Sequence, residues 1–196
     1  MSSKPPVPPV TRPKRADARL NEQALLDAAA ALFVSAGVNV PVRDIAARAG
    51  VGTATIYRHF PTRADLIGAV YQHQVEACVQ AGPALLAHNA SPYVALGKWI
   101  ELFVDFLVTK HGLAAAMQSD RPSFASLQVS FLDQLLPVCS RMISAAIEEG
   151  EIQPDVGAFE LMYAVGNLCI GAGPDPRYDA RRVVGRLIAG LRLPAA

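Results

Sequence analysis

The side chains with the widest reactive range in this chain of 196 residues are four histidines, at 59, 73, 88 and 111, and three cysteines, at 78, 139 and 169. A metal site needs such groups in closely spaced pairs. Only His73 and Cys78 approach that, so the sequence predicts no metal centre and no cofactor. Three scattered cysteines in apolar surroundings exclude a disulfide framework and suit a reducing compartment. Glu101 and Asp105 share a helical face at i, i+4, as a carboxylate pair for acid–base work would. With Lys98 they read more simply as a solvated polar strip. The sequence shows no glycine-rich phosphate loop, nucleophile elbow or Ser–His–Asp set, and it predicts no enzyme. Residues 53–60 (TATIYRHF) carry chemistry of another kind. They offer hydroxyls, a phenol, a guanidinium and an imidazole with no carboxylate among them, which suits phosphate oxygens and base edges.

Those groups act only if a helix presents them. Asn21 caps a helix whose apolar positions Leu25, Ala29, Leu32, Phe33 and Ala36 recur at helical spacing until Gly37 stops it. A short second helix over 41–49 has Pro41 in its first turn and Val42, Ile45, Ala46 and Ala49 on one face. Gly50 ends it, Val51-Gly52 turns the chain, and a third helix follows until Pro61. Two short helices joined by a tight glycine-containing turn form a helix-turn-helix. Ala46 and Ala49 are small where the helices approach, and Ile56 and Phe60 anchor the third helix inward. Ala54, Thr55 and Arg58 then face out, flanked by Thr53, Tyr57 and His59, a surface able to enter the major groove. Residues 1–75 hold nine Lys/Arg against five carboxylates, while 76–196 hold nine against twelve. That asymmetry suits a polyanion-binding module joined to an acidic partner module. Residues 1–18 read as a disordered, basic, proline-rich tail whose Lys4, Arg12, Lys14 and Arg15 can reach a phosphate backbone.

The stretch LLDAAAALFVSAGVNVPVRDIAARAGVGTATIYRHFPTRADLIGAVY resembles the DNA-binding domain of TetR/AcrR-family transcriptional regulators. The segments that carry the resemblance are AA-x-x-LF-x-x-x-G, DIAARAGV, TIYRHF and LI-x-AV, and it covers residues 19 to about 75. It implies that Arg43 contacts a base or phosphate and that Thr53 and Ala54 read bases. It also implies that Thr55, Tyr57, His59 and Arg63 contact phosphate, with Arg58 on the same DNA-facing surface. Where many relatives place Ser or Thr before the second and third helices, this chain has Val40-Pro41 and Gly52, so no hydroxyl is available there. Thr53 and Ala54 offer one hydroxyl and methyl groups, which shifts specificity toward Arg43 and DNA shape. The implied function is a sequence-specific regulator of transcription, a repressor on double-stranded operator DNA that a small ligand releases. The alternative is a small-molecule-binding or protein-interaction protein that keeps the fold with little specific DNA binding.

The implied architecture is all-α: the tail over 1–18, a DNA-binding domain over 19–78, and a helical ligand-binding and dimerisation domain over 79–196. A chain that is 52% hydrophobic and 18% charged can build the large core this requires. Asp27, Lys98 or Asp105 breaks every apolar stretch before it reaches the ~18 residues of a membrane helix, and the N-terminus has no apolar signal core. The expectation is a soluble cytoplasmic protein with no membrane partner. Helices are expected over about 63–81, 92–110, 113–118, 124–149 (broken or kinked at Pro137), 155–170 and 179–192. Trp99, Phe103, Phe131 and Met142 read as core or as a pocket wall. The resemblance points to a pocket for an apolar or aromatic effector, with Asn167 as its hydrogen-bonding group or as an interface amide. By the same resemblance Val184, Leu187, Ile188 and Leu191 are the homodimer interface, an isologous four-helix contact.

Overall fold

A computed structural model describes residues 14–116, 121–170 and 177–193, with side chains described over 21–108, 131–170 and 177–193. The described chain is helical: α1 (Lys14–Ala36), α2 (Val42–Ala49), α3 (Thr53–His59), α4 (Arg63–His88), α5 (Pro92–Ala116), α6 (Arg121–Glu148), α7 (Ala158–Ile170) and α8 (Ala180–Gly190). One isolated antiparallel bridge, Ile152 to Arg192, ties the end of the chain to the α6–α7 connection.

The α2–α3 turn follows from its glycine. Gly50 takes φ 68°, where a side chain is strained, and its N–H reaches the carbonyls of Ala46 and Ala47. Helix α4 opens on a capping box: Thr62 Oγ1 accepts from the Asp65 N–H at 3.1 Å, and Asp65 Oδ2 accepts from the Thr62 N–H at 2.9 Å. Hydrogen bonds from the Thr62 side chain first, and then from its backbone, favour the ionised carboxylate and hold the Asp65 pKa below its ordinary value.

Four helices run past their local signals. Helix α1 begins at Lys14 rather than at Asn21, because the residues after Pro13 are helix formers and the last proline lies behind them. Residues 1–13 of the expected tail lie outside the described residues. Helix α4 does not stop before Gly82-Pro83, as expected, but continues to His88, and α6 continues through Pro137. An interior proline costs ~3 kcal/mol, and the packing of α4 against α6 offsets it. Helix α5 reaches Ala116 without the break expected before residue 113.

A single apolar core runs from Leu25 to Leu191. Its widest part is aromatic. Trp99 is fully buried and donates its Nε1–H to the Cys78 carbonyl at 2.8 Å. Trp99 stacks on Phe103 at 5.7 Å, Phe103 on Phe106 at 6.2 Å, and Phe106 meets Phe131 at 5.5 Å and Tyr71 at 5.0 Å. Because α4 packs on α1, α5 and α6, the boundary expected near residue 78 falls inside a shared helix. Cys78 and Cys139 are buried free thiols pushed up to about 12 by that burial, and the charge of Asp105 adds to the effect at Cys78. Neither is a nucleophile at neutral pH.

The last helix corrects an expectation. Val184, Ile188 and Leu191 are buried within their own protomer and Leu187 is half-buried, so the stripe read as a partner face belongs to the core. A helix of 11 residues with one apolar stripe buries that stripe where it can, here against α5 and α7. Among the described residues the most exposed large apolar side chains lie on α7, where Phe159, Tyr163 and Ile170 are 55%, 65% and 64% exposed.

Gly82 lets α4 and α6 approach closely, since a β-carbon there would overlap Val138 Cγ1 and meet Met142 Sδ at 3.8 Å. Helix propensity alone favours Gly82→Ala by about 1 kcal/mol. Overpacking instead makes the variant less stable by about 1–3 kcal/mol, measured by urea denaturation. A more stable variant would contradict this packing.

Candidate functional site

Helix α3 divides its surface into rows at i, i+4. Ile56 and Phe60 form the inner row and are buried. Thr53 and Tyr57 form one outward row, Ala54 and Arg58 the next. Thr53, Ala54, Arg58 and His59 are exposed, and Thr55, which flanks them with His59, is half-buried. The structure therefore brings the sequence-predicted α3 residues onto one open face, with Thr55 at its margin. Tyr57, a large amphipathic ring, stands 53% exposed beside the Ala54/Arg58 row. No carboxylate lies on this helix. Neither α2 nor α3 has a side-chain cap: Pro41 and Gly52 hold the cap positions in extended backbone.

Helix α2 adds two exposed cations. Arg43 is 81% exposed by side chain, with Nε 3.4 Å from the neighbouring Asp44 carboxylate. A pair that open is worth little, so the guanidinium can exchange that partner for a phosphate. Arg48, in the last turn, is exposed as well. Sequence reasoning passed over Arg48, although its spacing of five from Arg43 on a short helix beside α3 was a visible signal.

Arg63 behaves differently. It is half-buried, its guanidinium donates to the carbonyls of Val38 and of Val40 (2.6 Å to the latter), and it lies over the Phe33 ring at 5.6 Å. Desolvation lowers its pKa from the ordinary value, with an opposing contribution from Tyr57. The side chain expected to point at DNA is turned into its own domain.

A cleft of about 270 Å³ opens between α5, α6 and α7, lined by Phe103, Leu107, Phe131 and Leu132 on one side and by α7 residues including Met162, Tyr163 and Asn167 on the other. Of the residues expected to line a pocket, Phe103, Phe131 and Asn167 do so. Trp99 and Met142 are fully buried behind it and belong to the core. The Asn167 amide is the one strongly polar side chain in the lining. The α7 contribution was legible in principle, because that helix is apolar on the Phe159–Tyr163–Ile170 side as well as on its buried Leu161–Val165–Cys169 side. Among the described residues no helix is long and apolar enough to cross a membrane, and no group of three His, Cys, Asp or Glu converges.

Residues 25–70 match the bacterial regulatory proteins of the tetR family, and residues 91–193 match the C-terminal domain of SbtR-like transcriptional regulators. The chain is 31% identical to a TetR transcriptional regulator from Streptomyces coelicolor of known structure, with TM-score 0.73, covering 89% of this chain and 99% of that one. It is 30% identical to a TetR transcription regulatory protein from Mycobacterium vanbaalenii, with TM-score 0.67, covering 92% and 100%. A curated relative, an HTH-type transcriptional regulator of Staphylococcus aureus, is 25% identical over 122 residues. That match takes in 62% of this chain and 66% of the relative, just under two thirds of its length.

Arg43→Gln and Arg58→Gln should leave stability within about 0.5 kcal/mol, as exposed substitutions do. If each guanidinium neutralises a phosphate, each substitution should reduce the slope of log affinity against log salt by ~0.9 per protomer. Fluorescence anisotropy across a salt series, on a duplex selected from random-sequence DNA, measures it. An unchanged slope in both variants would remove these residues from the interface.

Proposed function

The chain belongs to the TetR family of bacterial regulatory proteins, and from that premise we propose that it is a cytoplasmic, homodimeric repressor that binds double-stranded operator DNA and leaves it when a small neutral effector binds. The open face of α3 supports this most directly. Its two outward rows, Thr53/Tyr57 and Ala54/Arg58, present a hydroxyl, a methyl, a phenol and a guanidinium on a helix narrow enough for the major groove. Thr53 and Ala54, at the start of the helix, are assigned to base edges. Tyr57, His59 and the exposed arginines are assigned to phosphates.

The lining of the cleft supports an uncharged apolar or aromatic effector. Eight of its residues are apolar or aromatic side chains, and Asn167 supplies one hydrogen-bonding group to orient a ligand. An ionised ligand would lose its hydration there without a counter-charge. The aromatic contacts give such a ligand a route to the DNA module. Phe131 and Phe103 line the cleft, both touch Phe106, and Phe106 touches Tyr71 on α4. A ligand that displaces the cleft rings shifts α4, and with it the position of α3. In a dimer the two α3 helices must match one turn of B-DNA, ~34–36 Å, so a small change of separation lowers affinity. The exposed Phe159, Tyr163 and Ile170 of α7, which also edge the cleft, are the apolar surface assigned to the dimer contact in place of the buried stripe of α8, so a partner protomer would complete that wall of the cleft.

Neutral aromatic and aliphatic compounds that change the emission of Trp99, the single tryptophan, should weaken binding to the selected duplex. A coupling of ~1–3 kcal/mol corresponds to a loss of ~5–150-fold. Linkage requires the duplex to weaken the compound by the same factor. Phe131→Trp, which fills the cleft, should abolish the compound's effect while DNA affinity stays within about threefold, well under the ~1.4 kcal/mol that a tenfold change represents. Compound affinity unchanged by saturating duplex would refute the regulatory role of the cleft.

A further inference from the structure

Three residues after the close of α3 at Phe60, the chain begins α4 with Arg63. Immediately before α2, whose cap is Pro41, it passes Val38 and Val40. The Arg63 guanidinium donates to both of those carbonyls. One side chain therefore joins the segment leading into the helix-turn-helix to the segment leading out of it, across 23 and 25 residues of sequence that contain all of α2 and α3. We infer that Arg63 is a positioning residue that pins the two ends of the helix-turn-helix together and sets the orientation of α3 from behind, and is not a phosphate ligand. This rests on the proposed DNA-binding role of α3.

The chemistry of the contact requires arginine. Val38 and Val40 are buried, and they lie in the connection between α1 and α2, where no helix supplies their carbonyls with partners. An unpaired buried carbonyl costs about 1–3 kcal/mol, and one guanidinium nitrogen, Nη2, donates to both acceptors at once while the planar group lies over Phe33. Both acceptors are neutral, so partial burial of the charge is offset by hydrogen bonds and by the aromatic face rather than by a counter-ion. A lysine ammonium also has several donors on one nitrogen, but it is more strongly hydrated and has no planar face to lie on Phe33, so half-burial against that ring costs it more. A group already committed to two carbonyls is poorly placed to displace counterions from DNA.

The two roles give opposite results for Arg63→Lys and Arg63→Gln. The full-length variants are compared with the parent on the duplex selected from random-sequence DNA and on a scrambled duplex, across a salt series. As a clip, Arg63 is rescued by neither substitution. Both lose affinity for the selected duplex about tenfold, on the scale of a charge-assisted hydrogen bond. Both keep the parent's salt slope and its affinity for the scrambled duplex. The inference is overturned if Arg63→Lys retains affinity while Arg63→Gln lowers the slope by ~0.9 per protomer, the signature of a phosphate contact. It is overturned equally if affinities for both duplexes fall together with helical content, which would make the residue a general support of the fold. The parent's own preference for the selected duplex is the measurement on which DNA binding stands, so the two readings fail separately. Should both variants fail to fold, nitrogen-15 arginine spectra of the parent decide. Protected Arg63 guanidinium protons whose shifts persist when the selected duplex is added support the clip, and exposed protons that move on DNA addition overturn it.

Discussion

Helix α4 packs on α1 and also on α5 and α6, two of the helices that wall the cleft, so one element links the DNA-facing unit to the cleft's walls. Its N-terminus is fixed three ways: the Thr62–Asp65 capping box, the buried Leu66 and Ile67, and the Arg63 contacts to the carbonyls before α2. Farther along, His73 Nε2 meets Asp27 of α1 at 2.7 Å. In the proposed mechanism a displacement of α4 is passed through α1 to α2 and α3, which pack on one another in that order. Cores packed to crystal-like density pass such strain on rather than yield to it.

Two residues before His73, the same helix meets the wall of the cleft through aromatic rings. Tyr71, fully buried, contacts Phe106, which contacts both Phe103 and Phe131 of the cleft wall. Rings move as units, so a ligand that alters the pose of Phe103 or Phe131 changes the surface against which α4 rests. Trp99 lies one ring behind Phe103 and is locked by its bond to the Cys78 carbonyl. It forms part of the rigid backing of the cleft rather than its wall, and this position makes its emission a second-hand report of occupancy.

What could be read from the sequence is what short-range chemistry specifies. Gly50 at positive φ, the Ile56–Phe60 pair and the alternation of small and apolar positions in α2 define the helix-turn-helix with no need of distant partners. Pro83 and Pro137 signal breaks because their local effect is to break helices; the α4–α6 contact that carries both helices onward lies far away in sequence. The apolar stripe of α8 was legible, but whether it faces its own core or a second chain is decided by the neighbours it meets. Trp99 and Met142 were legible as apolar and buried, whereas core and pocket wall differ only in which side is empty. The direction of Arg63 was not legible for a plain reason: its acceptors are backbone carbonyls, which every residue carries and no sequence pattern marks.

Footprinting on the selected duplex, and on the DNA upstream of the protein's own coding region, tests the central claim most directly, because it reads the α3 face, its doubling in a dimer and the effect of the cleft in one experiment. The account predicts two related protected half-sites with centres ~10–10.5 bp apart, or a simple multiple of that, and loss of protection when a compound that perturbs Trp99 is added. Protection of no defined site, or of a single half-site with no partner, would contradict it.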